Sequence, residues 1–249
     1  MKPPDLAKHI FATYFTLRHG IAILGIALPV VLWLGGLTFA GLSLQGSMSA
    51  YYHAGDGAMR DVFVGVLFGV GAFLYLYKGY TRQENIALNL AGVFVVGVAL
   101  FPMQWACGDA CGSFSPHGTF AVLFFLCIAY VCIFRASDTL KLVPDQNMAE
   151  RYGRWYKLIG AAMVLSPAIA FALSVMLRSQ DGDNPLIFFV EAVGVVVFGV
   201  YWILKSREIK FSNAERDAIA GRLSAPPSVP VKAFSATEIG PAVQQSPDR

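Results

Sequence analysis

Six residues of this chain have the side-chain types that chemistry needs and stand where few other polar groups do: Ser49, His53, Arg60, Asp61, His117 and Glu191. Four of them fall in residues 47–61, SMSAYYHAGDGAMRD, between two long apolar runs. His117 opens another apolar run and Glu191 interrupts the last one, in a chain with only four histidines. Two imidazoles with one or two carboxylates suit a zinc ion that keeps a position open for water, lowers the pKa of that water and so supplies a nucleophile. In this reading His53, Asp61 and His117 hold the metal, and Glu191 is a fourth ligand or the general base. Ser49 orients substrate or stabilises an oxyanion, and Arg60 holds an anionic headgroup. Without a metal the same groups make a proton relay or a binding site. In a third, purely structural reading, Asp61 caps the second helix at the favourable end of its dipole. The histidines then sit singly at the water interface and Glu191 pairs with Arg60.

The elements that must position these residues are membrane helices. Of 249 residues, 56% are hydrophobic and 14% charged, against about 25% charged in soluble domains; mean hydropathy is +0.56. Apolar runs cover about 21–42, 62–77, 86–101, 118–134, 158–177 and 186–204. A span needs about 20 residues, and backbone facing lipid must satisfy its own hydrogen bonds, so each run predicts a helix. The first run is longer than the core of a signal peptide and starts too far from Met1 to be one; Pro29 predicts a kink in it. Residues 5–17 have helical apolar spacing, which fits an interfacial helix or an ordinary lead-in. Gly65 and Gly69 have small-xxx-small spacing. The net charge of +3 includes no basic block interleaved with aromatics, so nucleic acid is not an expected partner.

Lys and Arg set the orientation. Lys2, Lys8, Arg18, Lys78, Arg82, Arg135, Lys141, Arg151, Arg154, Lys157, Lys205, Arg207 and Lys210 fall on one side, against Arg60 and Arg178 on the other. Both termini are therefore expected in the cytoplasm. Tyr75, Tyr77, Tyr80, Trp155, Tyr156, Tyr201 and Trp202 are expected to form an aromatic belt at the inner interface, with the Tyr51–Tyr52 pair as an anchor at the outer one or, alternatively, a substrate platform. This topology brings His53, Asp61, His117 and Glu191 to the outer face. If the first helix continues past Ser49, that residue and His53 share one of its faces. Glu191 lies about six residues inside the sixth helix, roughly 9 Å along its axis; a carboxylate there costs about 2–3 kcal/mol and needs a partner. Asn89 and Ser166 are intramembrane polar groups, and a plain interhelical hydrogen bond is the expectation for Asn89. Cys107 and Cys111, in an outer loop, allow a small disulfide ring, zinc ligation with His117, or two free thiols. Cys127 and Cys132 read as small core residues. Residues 1–20 form a cytoplasmic or interfacial segment, 21–204 the six-helix domain, and 205–249 a cytoplasmic tail. In that tail 212–223 can form a short helix with Ser212 as N-cap, and the rest is polar, proline-bearing and expected to be disordered.

The spacing Ser49-x-x-x-His53, followed by Asp61 at the start of the next helix, resembles the CREST superfamily of membrane hydrolases, which includes alkaline ceramidases and progestin and adipoQ receptors. The resemblance implies a Ser, a His and an Asp acting with a later His-x-x-x-His at a zinc site to cleave lipid amides. This chain has no His-x-x-x-His, and it has six apolar runs where that family has seven helices. Stretches such as MRDVFVGVLFGVGAFLYLYKGY and LNLAGVFVVGVALFP are similar to small bacterial six-helix membrane proteins. That second resemblance implies a bacterial inner membrane and brings no activity with it. The expectation is thus an all-α bundle of six transmembrane helices bearing a metal-dependent hydrolase, with zinc as cofactor, that acts on a lipid or lipid-linked amide or ester at the outer leaflet. The alternative is a non-enzymatic lipid-binding or transport-accessory protein.

Overall fold

The computed structural model describes residues 3–104, 115–176 and 184–212, and every regular element in them is helical. The six helices are α1 (Pro3–Ala40), α2 (Ala58–Leu76), α3 (Arg82–Leu100), α4 (Pro116–Tyr130), α5 (Gln146–Met176) and α6 (Leu186–Ser212). With the short extension of α4, all are long and apolar enough to cross a bilayer, as a multi-pass integral membrane protein requires. Each helix packs on its neighbours in the chain, and α6 closes on α1, so the six form a ring. The start of α1 and the end of α6 lie at one end of this ring, called here the terminal end.

The helix ends follow local chemistry more than the apolar runs do. α1 has 38 residues, about 57 Å at 1.5 Å per residue, so it outreaches a hydrocarbon core of about 30 Å. The expected interfacial segment is therefore the first part of α1, and Pro29 is accommodated within it. α1 ends where Gly41 adopts φ 61°, a left-handed conformation that glycine takes without steric cost. Thr81 accepts from the amide of Glu84, whose carboxylate takes the Tyr80 amide, a variant of the capping box. Ser115 accepts from the Gly118 amide and Pro116 opens α4, where its missing N–H costs nothing. Asp145 caps α5 through the amides of Asn147 and Met148. Below Tyr130, α4 widens into a π-turn (Val131–Arg135) and then tightens into a 3-10 helix (Ala136–Leu142). α6 runs through Ser212, whose hydroxyl bonds the Ile209 carbonyl. The expected helix over 212–223 lies outside the described residues apart from Ser212 itself.

The core contains several of the aromatic residues expected at the inner interface. Tyr77, Tyr156, Tyr201 and Trp202 are buried between helices, while Tyr75 and Trp155 face outward as belt residues should. α2 and α3 touch through backbone: a Cβ on Gly71 would lie 2.9 Å from the Gly92 carbonyl oxygen, and one on Gly92 would lie 2.8 Å from that of Gly71. Only glycine permits so close an approach. Gly65 faces open space, so the small-residue contact is Gly71–Gly92 and not the Gly65–Gly69 pair. Ser166 donates to the Val190 carbonyl across α5 and α6, whereas the side-chain oxygen of Asn89 is buried without a hydrogen bond. Cys132 is a buried core thiol and Cys127 is half-buried. Cys107, Cys111, Arg178 and the tail beyond Ser212 lie outside the described residues.

Candidate functional site

At the end of the ring opposite the termini, the chain leaves α1 at Gly41 and turns back inward. It forms a 3-10 helix, Ser49–Tyr52, before α2 begins. Ser49 and His53 are therefore not carried on a continuation of α1, and the shared-face expectation fails because Gly41 ends that helix. Glu191, in the second turn of α6, draws the loop in. Its carboxylate accepts the Ser47 hydroxyl at 2.9 Å and the Met48 amide at 2.7 Å, while the Phe188 amide donates to Gly46 O at 3.0 Å. Charge-assisted bonds to a buried carboxylate offset its desolvation. Its partners are thus the Ser47–Met48 turn and not Arg60.

The turn held by Glu191 carries Ser49, whose Oγ lies 2.7 Å from Nε2 of His117, the second residue of α4. The other ring nitrogen, Nδ1, lies 3.1 Å from Val98 O and 2.9 Å from Phe101 O. These carbonyls are free to accept because the last turn of a helix lacks intrahelical partners for its own. Carbonyls only accept, so Nδ1 bears the proton and Nε2 the lone pair, and Ser49 donates to it. α3 thereby fixes the tautomer and orientation of His117, and Ser49 faces the basic nitrogen. Ser49 and His117 are both close to fully buried, at 9% and 7% exposed. The amides beside Ser49 are spent, that of Met48 on Glu191 and that of Ser49 on Ser47 Oγ at 3.1 Å.

The other predicted residues stand apart from this pair. His53 Nε2 meets Met103 O at 2.9 Å and its ring packs on Tyr52. Asp61 pairs with Arg60 at 3.2 Å, both well exposed in the first turn of α2, where the helix dipole favours the carboxylate. Gly57, not Asp61, is the N-cap. Tyr51 is fully buried against Phe188 and accepts the Gln45 amide at 3.4 Å, so it is a core residue and not an interface anchor. Burial pushes its phenol pKa above the ordinary value. Among the described residues, no three His, Cys, Asp or Glu side chains are grouped to hold a metal ion. The set His53, Asp61 and His117 fits zinc poorly as arranged: both nitrogens of His117 are engaged, and Asp61 turns to Arg60.

A second polar cluster, at the terminal end, was not anticipated from the sequence. Lys205 donates to Ala136 O at 3.0 Å, to Glu208 at 2.9 Å and to the Thr139 hydroxyl, so its three N–H bonds are all used. Glu208 also accepts from Thr139 and from the Tyr156 hydroxyl. None of these five residues is more than 2% exposed. Beside them Arg18, wholly buried, donates to Ser206 and to the Tyr77 hydroxyl. The available signal was Lys205 and Glu208 three apart after an apolar run, the spacing of helix neighbours. Saturated in this way, Lys205 and Glu208 tie α6 to α5 and to the extension of α4. Compared with protein-family models, curated proteins and solved structures, the chain matches none.

Proposed function

We propose that the protein is a hydrolase of the bacterial inner membrane, acting on a lipid or lipid-linked ester or amide at the outer leaflet, with Ser49 as nucleophile and His117 as base. The observation that carries this reading is the 2.7 Å contact of Ser49 Oγ with His117 Nε2, with Nδ1 held by two backbone carbonyls. A nucleophile bonded to a base that is itself oriented by a third group is the arrangement acyl transfer uses. As Oγ attacks the carbonyl carbon, its proton passes to Nε2. His117 then gives that proton to the departing amine or alcohol. Water, deprotonated by His117, cleaves the acyl-Ser49 ester and restores the serine. Glu191 is a positioning residue here, since it holds the turn that carries Ser49. In this reading Arg60, exposed in the first turn of α2 beside Asp61, meets an anionic headgroup. No step passes through a metal. The excess of Lys and Arg on the terminal side supports cytoplasmic termini and, with them, an outer-leaflet site at Ser49.

The low exposure of Ser49 and His117 favours a second reading. In it the pair is a clasp between the 3-10 helix and α4 of a non-enzymatic lipid-binding or transport-accessory protein. A fluorophosphonate probe added to the full chain in neutral detergent separates the two. The hydrolase reading expects an adduct on Ser49, none in Ser49→Ala, and labelling at least about a hundredfold slower in His117→Gln, the usual contribution of a general base. If saturating probe leaves wild-type Ser49 unmodified, and both variants only melt earlier, the clasp reading replaces the hydrolase.

A further inference from the structure

We propose that a groove on the outside of the bundle, between α3 and α4 towards the terminal end, binds an anionic phospholipid, with an acyl chain in the groove and the phosphate on Arg135. The groove encloses about 380 Å³ and is lined by Gln83, Ile86, Leu90, Leu123, Leu126 and Tyr130, among others. Its walls are apolar and Ile86, Leu90 and Leu126 are exposed, so in a membrane they face lipid. Only one end is polar. There the π-turn Val131–Arg135 brings Arg135 to Gln83, with Nη1 donating to Gln83 Oε1 at 2.6 Å and the guanidinium 6.0 Å from the Tyr130 ring. π-turns are rare and collect at functional sites.

Charge selects the occupant. Arg135 has one carboxylate nearby, Asp138 at 3.5 Å, and that contact also goes to Nη1. Its Nε is buried without an acceptor, and among the described residues nothing engages Nη2. Nε is closed to a ligand by its burial, so Nη2 is the guanidinium nitrogen left to donate a charge-assisted bond to a phosphate oxygen. Arg82, next to Gln83 in the chain, is exposed, while Glu84 on its other side is buried and bonded to the Tyr80 amide. The depth also fits. Gln83 and Arg135 lie at helix ends, where headgroups sit, and Leu90 lies about 10 Å further along α3, at the level of acyl chains. Basic pockets between membrane helices take anionic headgroups in this way. The site is independent of Ser49 and His117 and lies at the other end of the ring.

The test is native mass spectrometry of the full chain in a neutral detergent, titrated with phosphatidylglycerol or phosphatidylcholine of the same chains. Wild type is expected to retain phosphatidylglycerol about fivefold better, which corresponds to the ~1 kcal/mol of one cation near an anionic lipid surface. Arg135→Gln is expected to remove the preference and still bind either lipid weakly. Leu90→Trp, which fills the groove on its exposed wall and leaves the lip intact, is expected to lower retention of both lipids. Equal retention of the two lipids by wild type overturns the proposal. So does a preference that survives Arg135→Gln, or undiminished retention of both lipids by Leu90→Trp, when the variant keeps the wild-type melting temperature.

Discussion

Removing the Lys205 ammonium tests whether the terminal-end cluster is an interdependent unit. In Lys205→Met the methionine fills the space of the aliphatic stem, so packing is nearly conserved. What changes is electrostatic. Lys205 is 1% and Glu208 0% exposed, and the ammonium supplies one of the three donors that Glu208 accepts. Without it the carboxylate is a buried charge with no counter-charge in contact, and Ala136 O keeps only the longer contact with the Thr139 hydroxyl at 3.3 Å. Breaking a buried pair in this way costs about 3–5 kcal/mol, and at this chain length that corresponds to a melting temperature lower by roughly 10 °C. Glu208→Gln alone leaves the cation with Ala136 O and Thr139 and costs about 2–3 kcal/mol. The double variant removes both charges, so it is expected to be less destabilised than the sum of the singles by about 2 kcal/mol or more. Unfolding in neutral-detergent micelles, followed through the fluorescence of buried Trp202, yields all four corners of the cycle. Additivity within about 0.5 kcal/mol would refute the claim that these groups are mutually dependent.

Other outcomes follow from the far end. Glu191→Gln leaves one good acceptor where the carboxylate served both Ser47 and Met48, so it should cost about 1–3 kcal/mol and slow fluorophosphonate labelling of Ser49; thermal melting and labelling on the same sample check both effects. The phenol of Tyr51 titrates above its ordinary value in the folded chain. Its contribution to stability is complete below the unfolded pKa of about 10 and is lost as pH rises from there through the folded value, so Tyr51→Phe should flatten the decline of melting temperature above pH 10. Elemental analysis of protein purified without a metal-affinity tag should find no stoichiometric zinc. Zinc near one per chain, lost in the His53→Ala, His117→Ala double variant, would move the chemistry to a metal.

The spans were legible because a bilayer sets one simple requirement, about 20 apolar residues in a row. Their ends were not, because helical hydrogen bonding does not stop where apolarity does. α5 starts at Gln146 and α6 continues to Ser212, set by the Asp145 cap and by burial of polar groups that hydropathy counts as surface. Glu191 was recognisable as a carboxylate that needed a partner, but the partner was a backbone amide and a serine, groups too common in sequence to single out. Pairing Ser49 with His117 depended on a loop that turns inward after Gly41, which no periodicity reports. Lys205 was hidden by its own type, since a lysine after an apolar run reads as a topology signal; only burial reveals that it is held by three acceptors.

α6 carries a polar fastening at each end, Glu191 at one and Lys205 with Glu208 at the other, with apolar contacts between. Fourteen residues separate Glu191 from Lys205, about 21 Å along the helix, so both fastenings act across one leaflet-to-leaflet span. Rocking this helix to open either mouth of the ring would have to expose a charge and break several bonds at once, while sliding it by one residue would misplace both ends together. Motion in this protein is therefore expected at helices without such anchors, chiefly the half of α5 beyond Ser166, away from the terminal end, whose side chains from Phe171 to Met176 are mostly exposed.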